Sequence, residues 1–141
     1  MKYFSWSLLA VLAMVVMLTG CGGDHDGRLA TAQRDDIEAQ HIGQGGTTFR
    51  FEVLDLENDI LAWYVSTNET RVGAALLDLG LIAGDEGAFG LFVTEVNGIY
   101  ADFAANGTWW AFYIDGASSM TGVDITNIEQ GRTYAFVLTE S

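Results

Sequence analysis

The alternation of apolar and polar residues predicts β-strands in the part of the chain that follows residue 46. Residues 47–55, TTFRFEVLD, place phenylalanine and valine on one side and charged residues on the other, as a half-buried strand does. Residues 59–67, DILAWYVST, are rich in branched and aromatic residues, which favour a second strand. Asn58 and Asp59 precede its apolar run and are typical turn residues, so the two segments predict a hairpin.

A helical pattern follows these strands. Val72, Leu76 and Leu79 recur at the spacing of one helix face. The hydroxyl of Thr70 could cap the first turn, and Gly80 could end the helix in the left-handed conformation. The sequence therefore predicts one amphipathic helix after the first hairpin.

Further strands are predicted after the helix. Residues 88–98 read as a strand that leads into an Asn-Gly turn, a pair that favours tight hairpins. Residues 108–116, TWWAFYIDG, and 132–140, RTYAFVLTE, predict two more strands. Two strands, one helix and more strands predict an α+β domain, with the helix packed on one face of a mixed sheet.

The strand TWWAFYIDG is unusual because both of its faces are apolar. Trp110, Phe112 and Ile114 fall on one face, whereas Trp109 and Tyr113 fall on the other, since successive side chains point to opposite sides. We expect the Trp110 face to pack in the core against the helix. The Trp109 face is then the candidate binding surface.

The segment 98–108 could cover or flank this second face, because it carries Tyr100 and Phe103. In one arrangement the segment folds over Trp109 and Tyr113 and buries them. In the other, Tyr100 or Phe103 forms a second wall beside an open aromatic surface. A concave site would favour a small ligand, and a flat patch would favour a protein partner.

The N-terminus predicts export and anchoring. Residues 1–20 begin with one lysine, continue through the apolar run 8–18 and end in small residues, as a secretory signal does. Residues 18–21, LTGC, resemble the lipobox of bacterial lipoproteins. The resemblance implies cleavage before Cys21, lipid on Cys21 and an extracytoplasmic protein anchored to a bacterial membrane.

Substitution of Cys21 tests this interpretation. We expect Cys21→Ser to leave the protein without lipid, either uncleaved or released from the membrane. Mass spectrometry of the wild-type chain should find an acylated N-terminal cysteine. An unmodified mature chain that begins at another residue would contradict the prediction.

Residues 21–46 predict a lipidated cysteine and a flexible tether, which leaves residues 47–141 as the folded domain. Glycine, aspartate and glutamine dominate this tether and few large apolar groups occur in it. His25 and His41 lie in the tether, where we expect them to be solvated.

Charge and composition exclude several functions. Nineteen acidic residues against six Lys and Arg give a net charge of −13 at pH 7, so the chain lacks the basic surface that nucleic acids require. The single cysteine forms no intrachain disulfide and no cysteine-based zinc site. Asp85 and Glu86 are adjacent but lack the ligand pattern of a calcium loop, so we expect no metal.

Catalytic chemistry finds little support in the sequence. Residues 47–141 contain no histidine, which excludes a His-based triad within them. Nucleophile-elbow and phosphate-binding glycine motifs are also absent from the sequence. We therefore expect no enzymatic activity and no required cofactor.

Four segments in order carry a resemblance to a known family: residues 70–84, 89–99, 109–116 and 122–136. They resemble small bacterial lipoprotein domains related to the C-terminal domain of transcobalamin and gastric intrinsic factor. The resemblance implies a β-grasp-like fold that binds a soluble ligand in some members. In the vitamin carriers this domain closes over one side of a cobalamin held mainly by a larger helical domain. One departure is Arg132, because relatives usually carry Gly-Asp where this chain has Gly-Arg.

These features together predict a membrane-anchored extracytoplasmic domain that binds a ligand. A corrinoid such as cobalamin is the ligand that the resemblance implies, stacked on Trp109 and Tyr113 beside Tyr100 and Phe103. A transport receptor or a second copy would then supply the other half of the site. The alternative is a cell-surface protein-interaction module that takes no small ligand.

Overall fold

The computed structural model describes residues 37–141, which form two β-sheets and two short helices. The predicted signal peptide 1–20, Cys21 and residues 22–36 of the predicted tether lie outside the described residues. Among the described residues, no helix is both long and apolar enough to span a bilayer. The elements are β1 (Gln40–Gly43), β2 (Thr47–Leu54), β3 (Ile60–Thr67), α1 (Val72–Asp78), β4 (Ile82–Gly87), β5 (Gly90–Val96), β6 (Ile99–Tyr100), α2 (Phe103–Asn106), β7 (Thr108–Ile114), β8 (Ala117–Ser118) and β9 (Thr133–Glu140).

The larger sheet is mixed and has the strand order β1-β3-β2-β9-β7-β8. β2 and β3 form the predicted antiparallel hairpin, and β7 pairs antiparallel with β9. β9 returns parallel to β2 at the centre of the sheet. The sheet carries one main helix, α1, and the predicted α+β fold class is confirmed.

β1 corrects the predicted limits of the tether. The tether was expected to extend to residue 46, whereas Gln40–Gly43 form a strand that pairs parallel with β3. Ile42 packs against the core, and it is the only large apolar residue of β1. One apolar residue is too weak a pattern to predict a strand, because β1 is held mainly by backbone pairing at the sheet edge.

α1 begins differently from the prediction. Its first residue is Val72 and its N-cap is Arg71, with no side-chain cap, so the predicted Thr70 cap is wrong. Gly80 has φ of +68°, and the predicted left-handed position after the helix is confirmed.

The loop 121–128 replaces the missing cap of α1. The backbone N–H groups of Val72 and Gly73 donate to the carbonyls of Thr126 and Val123, at 3.0 and 2.9 Å. A Cβ atom on Gly73 would lie 2.8 Å from the Cα of Asp124. A glycine here therefore lets the first turn of α1 approach this loop closely.

The core lies between α1 and one face of the large sheet. Phe49 and Phe51 of β2 and Tyr134 and Phe136 of β9 are almost completely buried there. Their rings pack edge to face, with centroids 5.3 Å apart for Phe49 and Tyr134 and 6.3 Å apart for Phe51 and Phe136. Phe112 of β7 stacks on Tyr134 and continues the aromatic layer.

The smaller sheet contains β4, β5 and β6 in antiparallel order. β5 corresponds to the strand predicted within residues 88–98, and the Asn97-Gly98 turn has the expected positive φ angles of 48° and 79°. β4 was not predicted. Its sequence, IAGDEG, is rich in glycine and acid, so its strand conformation depends on pairing with β5.

Candidate functional site

Strand parity in β7 places the two tryptophans on opposite faces of the large sheet. Trp110 is 7% exposed and donates its Nε1 hydrogen to the carbonyl of Ile99, at 3.1 Å. Trp110 belongs to the core cluster that includes α1, as the alternation predicts. Trp109 therefore lies on the face opposite α1, which we term the far face, and so does Tyr113.

The far face carries an aromatic pair at one corner. Phe103 packs edge-on against Trp109, with ring centroids 5.8 Å apart and an angle of 65° between the rings. Trp109 is half-buried by its surroundings, whereas 62% of Phe103 is exposed. The segment 98–108 thus both covers part of Trp109 and presents an aromatic ring to solvent.

α2 holds Phe103 in this position, and the sequence pattern did not predict this helix. The carboxylate of Asp102 accepts a hydrogen bond from Ala105 N at 3.0 Å and caps the N-terminus. Gly107 ends the helix with φ of +71°. Asp102 N also donates to the hydroxyl of Thr108, which ties α2 to the start of β7.

The four predicted site residues do not form one continuous ring cluster. Tyr100 lies on β6 and is 61% exposed, and Tyr113 is half-buried at the other end of β7. Within residues 37–141 no ring contact joins either tyrosine to the pair of Phe103 and Trp109. Trp109 and Tyr113 are four residues apart on one strand, a distance of about 13 Å.

Small residues lie between Trp109 and Tyr113. Ala111 is between them on β7, and its partner on β9 is Val137. Tyr113 faces Ala135, which is buried. The sheet surface between the two aromatic side chains therefore lies lower than their rings. Such a depression suits the edge of a flat molecule.

The other end of the far face is polar, which the sequence pattern did not predict. Arg50 of β2 pairs with Glu52 at 2.7 Å, and its guanidinium lies 5.6 Å from the ring centre of Tyr64. Tyr64 stacks on His41 of β1 with centroids 5.0 Å apart. His41 therefore lies on a strand and not in a tether, while its side chain is exposed to solvent as expected.

Electrostatics keep Arg50 charged on this face. Burial alone would lower the pKa of Arg50, but hydrogen bonds to Glu52 and Tyr64 outweigh it and raise this pKa. Glu52 is 1% exposed, so the guanidinium balances a carboxylate removed from water. The alternation in β2 had suggested only a solvated polar face for both residues.

Arg132 directly precedes β9 and takes part in two exposed ion pairs. It pairs with Asp115 at 3.1 Å and with Glu129 at 3.0 Å. The guanidinium of Arg132 is therefore paired with two carboxylates of this chain.

One acidic cluster has the donor atoms that a hard cation prefers. Asp55, Glu57 and Asp59 in the turn between β2 and β3 each bring a carboxylate oxygen within 4.8 Å of the others. Asp55 Oδ1 also accepts hydrogen bonds from the backbone N–H groups of Glu57 and Asp59, both at 2.9 Å. These hydrogen bonds are typical of a turn, and they explain why the three residues lie close together.

A depression of about 250 Å³ lies beside β1 and β3, away from the aromatic pair. Its lining residues are Glu38, Gln40, Ile60, Leu61, Ala62 and Trp63. The pair of Phe103 and Trp109 is thus part of an open surface and not of this depression.

The chain belongs to the family described as "Domain of unknown function (DUF4430)", whose model matches residues 60–139. The matched residues run from β3 to β9 and include both helices and the smaller sheet. No curated protein matches the chain.

Two solved structures share the fold. One is from Ruminococcus gnavus and is described as "a putative metal binding protein". It is 24% identical in sequence and superposes with a TM-score of 0.65, and the match covers 68% of this chain and 99% of that chain. The other is haptocorrin in complex with Cbi, 15% identical with a TM-score of 0.51, over 67% of this chain. The match spans only 25% of the haptocorrin chain. These similarities support a transcobalamin-like fold, as the sequence resemblance implied.

Proposed function

We propose that this protein is a membrane-anchored extracytoplasmic domain that binds an apolar, flat ligand, with a corrinoid as the candidate. The observation that carries the proposal is the pair of Phe103 and Trp109 on the far face of the sheet. A half-buried indole next to an exposed phenyl ring offers a stacking surface at low cost in side-chain entropy. The anchoring part of the proposal rests on Cys21 and its lipobox-like context.

The corrinoid candidate is supported by the likeness to haptocorrin, whose structure was solved with Cbi. Because the identity is 15%, this likeness concerns the fold, and the ligand is transferred only as a proposal. The side chain of Ala111 is small, so the sheet surface around it leaves room for the edge of a macrocycle between Trp109 and Tyr113.

The geometry favours a half-site. Phe103 is 62% exposed, so the pair of Phe103 and Trp109 is open on the side away from the sheet. A small ligand usually has most of its surface buried in a complete site. We therefore propose that a transport receptor or a second copy of the chain encloses the ligand from the open side.

The same openness favours one alternative function. An exposed aromatic pair without an enclosed pocket around it is also typical of the anchor residues of protein interfaces. In this alternative the surface docks a cell-surface protein and takes no small ligand.

Equilibrium dialysis of cobalamin against the full-length chain tests the proposal. We expect saturable binding that Phe103→Ala weakens, because the substitution removes the exposed ring and leaves Trp109 in place. Leu56→Ala, an exposed apolar residue in the turn between β2 and β3, is the matched control and should bind as the wild type does. Absence of saturable binding in the wild type would favour the protein-interaction alternative.

A further inference from the structure

The middle of the far face is buried. Leu54 of β2 and Ala135 of β9 are each 3% exposed, and Ala62 of β3 is 5% exposed. Glu52, which pairs with Ala62 on one side and with Ala135 on the other, is 1% exposed. These three side chains form one row across the sheet, and Leu54 lies in the next row, since it is two residues along β2. We term the four residues the central patch.

The helices and strands of residues 37–141 do not account for this burial. α1 and the smaller sheet contribute to the core cluster on the opposite face, and α2 packs at the corner of Trp109. The side chain of Arg50, which pairs with Glu52, is itself only 12% exposed. Side chains stand roughly perpendicular to a sheet, so a leucine and an ion pair on an uncovered face would keep contact with water. A further part of the chain or a partner therefore covers the central patch.

The chain leaves the described residues beside this patch. β1 runs parallel to β3, with Gln40 opposite Trp63. Glu38 lines one depression with Ile60, whose partner on β2 is Leu54, so the chain before β1 lies towards this end of β3. Two strand spacings, about 10 Å, separate the line of β1 from β2, and about three extended residues span that distance. Residues that precede residue 37 can therefore reach the central patch.

The preceding segment contains a side chain that suits the patch. Residues 22–36, GGDHDGRLATAQRDD, have Leu29 as their only large apolar residue. Leu29 is eight residues before residue 37, which allows up to about 26 Å of extended chain. Arg28 and Arg34 lie in the same segment of a chain whose net charge is −13, so the segment brings positive charge to an acidic domain. Reach, apolar character and charge all fit this segment as the cover.

From these observations we infer that residues 22–36 fold back over the far face and that Leu29 covers the central patch. The occupant of this surface is thus a segment of the same chain, and part of the predicted tether serves as a cover of the sheet. Because Ala135 faces Tyr113, the segment also borders the surface along β7. The inference goes beyond the ligand proposal, since the burial of β2, β3 and β9 involves no ligand.

Hydroxyl-radical footprinting with mass spectrometry tests this inference, because it measures the solvent exposure of individual side chains. We expect slow oxidation of Leu54 in the wild-type full-length chain and a rate at least about fivefold higher in Leu29→Ser, which removes the apolar cover. Ala32→Ser, in the same segment, is the matched control and should leave the rate within about twofold of wild type. Phe51 of the core should stay protected in all three proteins, and Phe92, which is 60% exposed, should be oxidised rapidly in all three.

Four outcomes would overturn the inference. Rapid oxidation of Leu54 in the wild type would show that nothing covers the patch, and equal rates in the wild type and Leu29→Ser would show that Leu29 is not the cover. Protection that falls when the protein is diluted would assign the cover to a second copy of the chain. Protection that the full-length chain shows and a chain beginning at Cys21 lacks would assign it to residues 1–20.

Discussion

Trp110→Ala will destabilise the protein by about 3–5 kcal/mol, the usual cost of removing a large aromatic side chain from a core. Trp110 is 7% exposed and lies in the cluster that joins the sheet to α1. The substitution also leaves the carbonyl of Ile99 without the indole hydrogen bond. Because domains of this size have only about 5–15 kcal/mol of stability in total, most of the variant should be unfolded under mild denaturing conditions.

Urea denaturation followed by circular dichroism measures this loss. Trp110→Phe is the informative control, because it keeps a ring in the core and removes the Nε1 donor. We expect its loss of stability to be smaller than that of Trp110→Ala. A Trp110→Ala variant with an unchanged unfolding curve would show that this face of β7 contributes little to the core.

Trp109→Ala should instead weaken cobalamin binding at least about tenfold, a loss of about 1.4 kcal/mol, while most of the stability is kept. The reason is its position: Trp109 is half-buried on the far face and contacts Phe103, outside the cluster that packs on α1. Equilibrium dialysis with cobalamin measures the loss of affinity, and urea denaturation of the same preparation measures the change in stability.

Phe89→Ala is the matched control for Trp109→Ala. It removes an exposed aromatic ring from the β4–β5 turn, which precedes β5, whereas Phe103 follows the other end of that strand, and it should leave cobalamin affinity unchanged. Cobalamin affinity that stays at the wild-type level in Trp109→Ala would move the binding site away from the far face. A large loss of stability in Trp109→Ala would show that the indole is needed for folding.

The features that were predictable from the sequence are those that local patterning determines. Alternation predicted β2, and runs of branched and aromatic residues predicted β3, β7 and β9. Asn97-Gly98 predicted the turn between β5 and β6. Trp109 and Trp110 could be assigned to opposite faces because strand parity depends only on sequence spacing.

The features that were missed depend on partners distant in the sequence. β1 and β4 carry weak apolar patterns and become strands by pairing with β3 and β5. The polar end of the far face could not be predicted without β1, because His41 contacts Tyr64 only through the pairing of β1 with β3. α2 did have a local signal, Asp102 as N-cap and Gly107 as C-cap, but a four-residue helix is shorter than periodicity can detect.

Intrinsic fluorescence of the full-length chain during titration with cobalamin tests the central claim most directly. Trp109 is the half-buried indole of the aromatic pair, so stacking of a corrinoid there should quench its emission in a saturable manner. Trp109→Ala, which removes the stacking indole and weakens binding, corrects for light absorbed by the ligand itself. We expect saturable quenching in the wild type and, over the same concentrations, little more than the absorption effect in Trp109→Ala. Identical curves for the two proteins would contradict ligand binding at Trp109.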